Sequence, residues 1–213
     1  SCKLDGISAL YIYNKEKNQE LLFTRGNGIY GQDITSLIPY LIHKKLNMSD
    51  SETGYIINDE SNISNNFDKN YAIRGEIIIK KNIYNKNYSN GSANSRNFVA
   101  GIINKKIIDP EILVDIDFVP YEVIDPILTP FDQLKIIQNE WILPPVKYDL
   151  VNKITNELLS EKLNEWRENY DYLIDGIIVT DNKIYNRISK NPEHSFAFKQ
   201  LLSNEYAETS VID

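Results

Sequence analysis

Tyr71-Ala72-Ile73-Arg74-Gly75-Glu76-Ile77-Ile78-Ile79-Lys80 is rich in branched and aromatic residues, and it reads as a strand that carries a carboxylate. Four more short runs of Ile, Val, Tyr and Phe, bounded by polar residues or glycine, extend the pattern at residues 7–13, 21–24, 118–124 and 174–180. Helices are expected over 35–46, 129–139 and 150–170. The last rests on Leu150, Ile154, Leu158 and Leu159 before Trp166. Asp33 or Thr35, Thr129 and Asp149 are the expected caps, and Pro130 suits a first helical turn. Strands separated by isolated helices predict an α+β fold with antiparallel sheets. Residues 47–70 and 82–94 are polar and turn-rich and read as surface loops. Pro144-Pro145 reads as an extended link.

The 213 residues are 42% hydrophobic, enough for a proper core in one large domain or two small ones. A net charge of −7 argues against a generally basic nucleic-acid coat, so any such contact is local or made by sequence outside this chain. One cysteine, Cys2, excludes an internal disulfide framework, and two histidines, His43 and His194, argue against a His/Cys zinc site. An intracellular, reducing setting is expected. The sequence shows no apolar run of transmembrane length, so no membrane association is expected.

Five short clusters carry the candidate chemistry. They are Lys3-Leu4-Asp5-Gly6, Thr24-Arg25-Gly26-Asn27-Gly28, Arg74-Gly75-Glu76, Asn94-Ser95-Arg96-Asn97 and Ala197-Phe198-Lys199. An amine that attacks a phosphoryl group must be neutral, yet an ordinary lysine with a pKa of roughly 10.4 carries little free amine at pH 7. A second cation nearby penalises the ammonium form, and Lys199 is the candidate for it. Glu76 is placed to bind a ribose hydroxyl or a metal. Taken alone, an ion pair with Arg74 is the simpler reading. Arg25 sits in a hairpin-like turn, with Asn27-Gly28 favouring positive φ. Arg96, flanked by small or amide side chains, can grip phosphate through paired N–H donors, although a solvated loop position is the plainer expectation. Tyr121 can stack on a purine or fill the core. Asp175-Gly176 is a second carboxylate at a strand entry or a standard turn.

The ordered set resembles the adenylation domain of NAD-dependent DNA ligases from Lys3 to about Asp213. The resemblance implies a nucleotidyltransferase (ATP-grasp-like) fold with antiparallel sheets flanking a nucleotide cleft. It implies that Lys3 is adenylated with support from Asp5 and Lys199. Glu76 then binds the ribose, Arg96 the nucleotide or phosphate, and Tyr121 stacks on adenine, while Arg25, Arg167 and Asp175 complete the nucleotide site. The Thr24–Gly28 segment, continuing through Gly31-Gln32-Asp33-Ile34-Thr35, is similar to the one typical of the NAD-using branch. The Asn, Ile, Lys and Tyr usage, with Asn191-Pro192-Glu193-His194-Ser195 before the last cluster, resembles divergent ligases of large DNA viruses.

NAD and Mg2+ are the implied cofactors, the metal being held largely by phosphates and assigned no protein ligand. The implied partner is nicked double-stranded DNA, gripped mainly by domains outside this chain. A monomer working in the cytoplasm or at the site of DNA replication is expected. Because Lys3 leaves no room for a preceding strand, residues 1–213 read as one domain of a longer ligase, with the mononucleotide-binding part upstream and the OB-fold downstream. Three positions depart from the family pattern: Thr180 where a lysine is usual, with Lys183 as the candidate substitute, Ser1 where glutamate is usual, and Asn104 in place of a basic residue. An ATP-dependent ligase or capping-type enzyme, or a non-catalytic nucleotide-binding domain, is the alternative.

Overall fold

The computed structural model describes residues 1–43, 70–140, 146–187 and 192–200. The expected Pro144-Pro145 link and, apart from Asn70, the expected loop 47–70 lie outside these residues. Strands β1 (Cys2–Leu4), β2 (Ile7–Asn14), β3 (Gln19–Thr24), β4 (Tyr71–Ile79), β5 (Ile116–Asp125), β6 (Ile174–Thr180) and β7 (Ser195–Phe198) form two antiparallel sheets. One has the order β3-β2-β4-β5 and the other β1-β6-β7. The α+β class with antiparallel sheets is therefore observed.

β4 is central in its sheet, and the run Ile77-Ile78-Ile79 is buried because both faces are covered. Ile77 and Ile79 enter a core with Tyr11, Leu22, Ile73 and Phe118, while Ile78 joins Cys2, Leu4, Val119, Ile174 and Ile177 on the opposite face. Period-two alternation sorts the neighbours in the same way. The first core is capped by helices α1 (Ile38–Leu41), α3 (Ser95–Ile103) and α4 (Pro110–Leu113), through Leu41, Val99, Ile102, Ile103 and Leu113. The second is covered by α6 (Asn156–Asn169) through Leu159, Leu163 and Trp166. The second core thus joins the two sheets, and the candidate functional side chains gather at its edge.

Several expectations change. The nucleophile-type lysine lies within a strand of its own, since Cys2 and Leu4 pair with β6 and the Cys2 amide donates to Lys147 O at 2.8 Å. The expected helix 35–46 is a 3-10 turn at Thr35–Leu37 followed by α1, with Pro39 in its first turn; residues beyond 43 lie outside the described set. The helix expected at 150–170 begins only at Asn156. Thr155 caps it by accepting from the Leu158 amide at 3.2 Å, whereas Asp149 pairs with Lys162. Leu150 and Ile154 are half exposed outside the helix. The third helix, α5 (Pro130–Glu140), matches expectation, and the Thr129 hydroxyl accepts from the Asp132 amide.

Within the expected loop 82–94, α2 (Lys81–Asn87) forms because Tyr84 and Ile83 pack inward while the polar residues stay outside. Asn94 is a helix cap, accepting from the Asn97 amide at 2.8 Å. Arg96 consequently stands in the first turn of α3 and not in a loop. Among the described residues, no helix is long and apolar enough to cross a membrane.

Candidate active site

Alternation on β1 buries Cys2 and Leu4 in the second core and turns Lys3 to the other face. There the Lys3 Nζ donates to Asp175 Oδ2 at 2.6 Å, and the Lys199 Nζ meets the same oxygen at 2.6 Å. One carboxylate therefore holds two ammonium groups, leaving a local surplus of one positive charge. Partial burial raises the Asp175 pKa, but hydrogen bonds from Lys199 and Lys3, with their charges, outweigh it and hold the carboxyl below its ordinary range.

Asp175-Gly176 is not a turn. Gly176 lies inside β6 opposite Lys3, and a Cβ there would stand 2.3 Å from Phe198 O and 3.1 Å from Lys199 Cγ. Only glycine lets β7 close against β6 and deliver Lys199 to Asp175.

Glu76 approaches from the four-stranded sheet and is 8% exposed. Burial pushes its pKa up to about 7, against the charge of Arg96, a hydrogen bond from the Gly6 amide and the charge of Lys3, while Asp5 adds to the rise. Gly6 is required here too, since its Cβ would meet Ile77 O at 2.4 Å and Glu76 Cγ at 2.8 Å. Arg96 Nη1 donates to Asp5 Oδ1 at 3.0 Å. Lys3, Asp5, Glu76, Arg96, Asp175 and Lys199, expected from five separate stretches, are thus one cluster.

Tyr121 stands beside Glu76. Its phenol, pushed above the ordinary range by burial and by the Glu76 charge, is hydrogen-bonded to the Ser8 hydroxyl at 2.9 Å. Ser8 was not singled out in the sequence. Its signal was positional, because it opposes Glu76 in the β2–β4 register. Arg74 does not pair with Glu76 but with Glu122, at 2.7 Å.

Arg167, in the last turn of α6, is drawn to the cluster's border. Its Nη2 donates to Gln200 O at 3.0 Å, one residue beyond Lys199, while Nη1 is buried without a hydrogen-bond partner among the described residues. Arg25 is exposed, and its backbone amide donates to Ser8 O at 2.8 Å. Positive φ in its loop falls at Gly26 (54°) and Gly28 (89°), not at Asn27.

Thr180 bonds the Ser195 hydroxyl at 2.8 Å, and Lys183 pairs with Asp181 at 3.3 Å within its own turn. Among the described residues no three His, Cys, Asp or Glu side chains cluster as a metal cage. Asp5 and Asp175 are already matched by cations, so this donor set does not form a resident magnesium site.

The arrangement can present an amine to an electrophile between two carboxylates, with a second ammonium and a guanidinium to receive anionic oxygens. Residues 1–201 match the family model described as NAD-dependent DNA ligase adenylation domain. The chain is 40% identical over 202 residues to the DNA ligase of Acanthamoeba polyphaga mimivirus, covering 93% of this chain and 29% of that protein. It is 29% identical over 240 residues to the DNA ligase of Aquifex aeolicus, covering 99% of this chain and 30% of that protein. The chain thus spans about three tenths of the length of these curated relatives.

Proposed function

The chain belongs to the family of NAD-dependent DNA ligase adenylation domains, and from that membership we propose that residues 1–213 are the adenylation domain of a longer DNA ligase, with Lys3 as the covalent nucleophile. The observation that carries the reading is the sharing of Asp175 Oδ2 by Lys3 and Lys199, each at 2.6 Å, beside the buried Glu76. The second ammonium beside Lys3 can receive the negative charge of a phosphate.

In the proposed first step the neutral Lys3 amine attacks the adenylyl phosphorus of NAD. A P–N bond forms, the P–O bond to nicotinamide mononucleotide breaks, and the amine's proton is given up. AMP then passes to the 5′-phosphate of a nick as the P–N bond breaks. Finally the 3′-hydroxyl attacks that phosphate and AMP leaves. Lys199 and Arg96 receive the anionic phosphate oxygens, and the buried Arg167 Nη1 offers a further unused donor. Glu76 accepts from a ribose hydroxyl, and Tyr121 stacks on the base between Ser8 and Glu76. Arg25 is assigned to the bound nucleotide.

The proposed fold is the nucleotidyltransferase type, with the cluster marking the nucleotide cleft between the sheets. Mg2+ would arrive on substrate phosphates, where it screens charge. The proposed partner is nicked duplex DNA, gripped mainly by parts of the protein outside this chain. The protein is proposed to act as a monomer inside the cell, in the cytoplasm or where DNA is replicated.

The test is the intact mass of the longer ligase, with the segment upstream of residue 1 included, after incubation with magnesium and either NAD or ATP. The expected result is a mass increase of one AMP with NAD alone, absent in Lys3→Ala. An adduct from ATP, or none from either nucleotide, overturns the reading.

A further inference from the structure

Tyr121 is the extra residue of a β-bulge. Gly75 of β4 opposes Pro120 and Arg74 opposes Glu122, so Tyr121 has no partner of its own in the ladder. A bulge re-aims a side chain, and the ladder alone leaves its direction weakly set. Pro120 adds to this by having no amide hydrogen to donate. The direction is set by the hydrogen bond between the Tyr121 phenol and the Ser8 hydroxyl at 2.9 Å together with what holds the neighbours, and immediately after Tyr121 stands Glu122, held by two arginines. Arg74 Nη1 binds Glu122 Oε2 at 2.7 Å, and Arg187 Nη1 binds Glu122 Oε1 at 2.6 Å. Arg187 Nη2 also reaches Val123 O at 3.4 Å.

Arg187 arrives from the segment between β6 and β7, which belongs to the other sheet. That segment is tied to the same region a second time, where the Phe131 amide at the start of α5 donates to Asn182 Oδ1 at 2.9 Å. The basic residue expected to compensate for Thr180, Lys183, remains with Asp181, its side chain 73% exposed. Arg187, four residues further on, crosses between the sheets.

We propose that Arg187 is a positioning residue for the nucleotide base: by closing the clamp on Glu122 it fixes the Tyr121 bulge as a stacking platform. The proposal rests on the reading that Tyr121 contacts the base. The pairs on Glu122 are half exposed, Arg187 by 46% and Arg74 by 41%, and exposed ion pairs contribute little to folding. Loss of Arg187 should therefore leave the fold standing and loosen only what the bulge carries.

Steady-state and single-turnover formation of the lysine-AMP adduct from NAD in the full chain separates these effects. Arg187→Ala is expected to raise KM for NAD about five- to tenfold with kcat changed less than about twofold, the pattern of lost binding common to ground and transition states. Arg187→Lys, which keeps one charge for Glu122, should recover most of the loss. Combining Arg187→Ala with Tyr121→Ala should add nothing to Tyr121→Ala alone, because coupled residues are not additive. The proposal is overturned if Tyr121→Ala raises KM while Arg187→Ala leaves it unchanged, or if the two losses add independently. It is equally overturned if kcat and the thermal midpoint fall together as KM rises, without rescue by lysine. An unchanged KM in Tyr121→Ala would overturn the underlying reading of Tyr121 itself.

Discussion

Two carboxylates act on Lys3, one from each sheet, and their environments drive them in opposite directions. Asp175, on the three-stranded sheet, is partly open to solvent and held by two ammonium groups, which keep it ionised below the ordinary carboxyl range. Glu76, on the four-stranded sheet, is almost fully buried, so removal from water pushes its pKa to about 7 despite Arg96 and Lys3. The three-stranded side is therefore dense in partly exposed charge, and the four-stranded side is closely shaped around Glu76 by Gly6, Ser8 and the Tyr121 bulge. Under the proposed function, charge handling falls to one sheet and recognition to the other, with Lys3 between them.

Removing the second ammonium should break this division most severely. Lys199→Met leaves Lys3 alone on Asp175 and removes a cation from the phosphate's path. Lysine-AMP formation should slow by about 100- to 1,000-fold in single-turnover assays, the range found when a charge-stabilising donor is lost. A slowing of less than about tenfold would show that the three-stranded side does not depend on paired ammoniums.

On the other sheet, Glu76→Gln sharpens the contrast through pH. A carboxyl whose pKa rises on folding from 4.5 to about 7 contributes stability that is complete below 4.5 and lost as pH climbs through 7. The loss amounts to roughly 3 kcal/mol at 1.36 kcal/mol per pKa unit. Denaturant unfolding should therefore show Glu76→Gln gaining on the wild type between pH 4.5 and 8 by up to that amount, while its nucleotide affinity falls. Equal pH dependence in the two proteins would contradict a Glu76 whose burial outweighs the charges and hydrogen bond that favour its ionised form. The smallest effect is expected from Lys183→Ala. Its exposed pairing with Asp181 lies apart from both carboxylates, and adduct formation should stay within about twofold.

Much of this contrast was legible along the chain. The strand 174–180 and the helix beginning at Pro130 carry strong local signals, branched runs in the first and a Thr-Pro start in the second. β1 and β7 were not legible because three or four residues form a strand only when a neighbour supplies the hydrogen bonds, here β6 for both. The start of α6 was misplaced because Leu150 and Ile154 continue an apolar spacing into residues that the Thr155 cap leaves outside the helix. Arg96 reads as a loop residue because Asn94-Ser95-Arg96-Asn97 suits a turn as well as a helix cap.

The sequence by itself determined the α+β class, the chemistry-bearing residue types and their order, because strand periodicity, caps and short motifs are written locally. Tertiary structure alone decided which of those residues meet. Gly6 and Gly176 permit backbone approaches that carry Glu76 and Lys199 to Lys3. The Arg74–Glu122–Arg187 clamp spans 113 positions from Arg74 to Arg187. The physical reason is that charge state and contact depend on burial and on distances across sheets, which are set by packing between segments far apart in the chain.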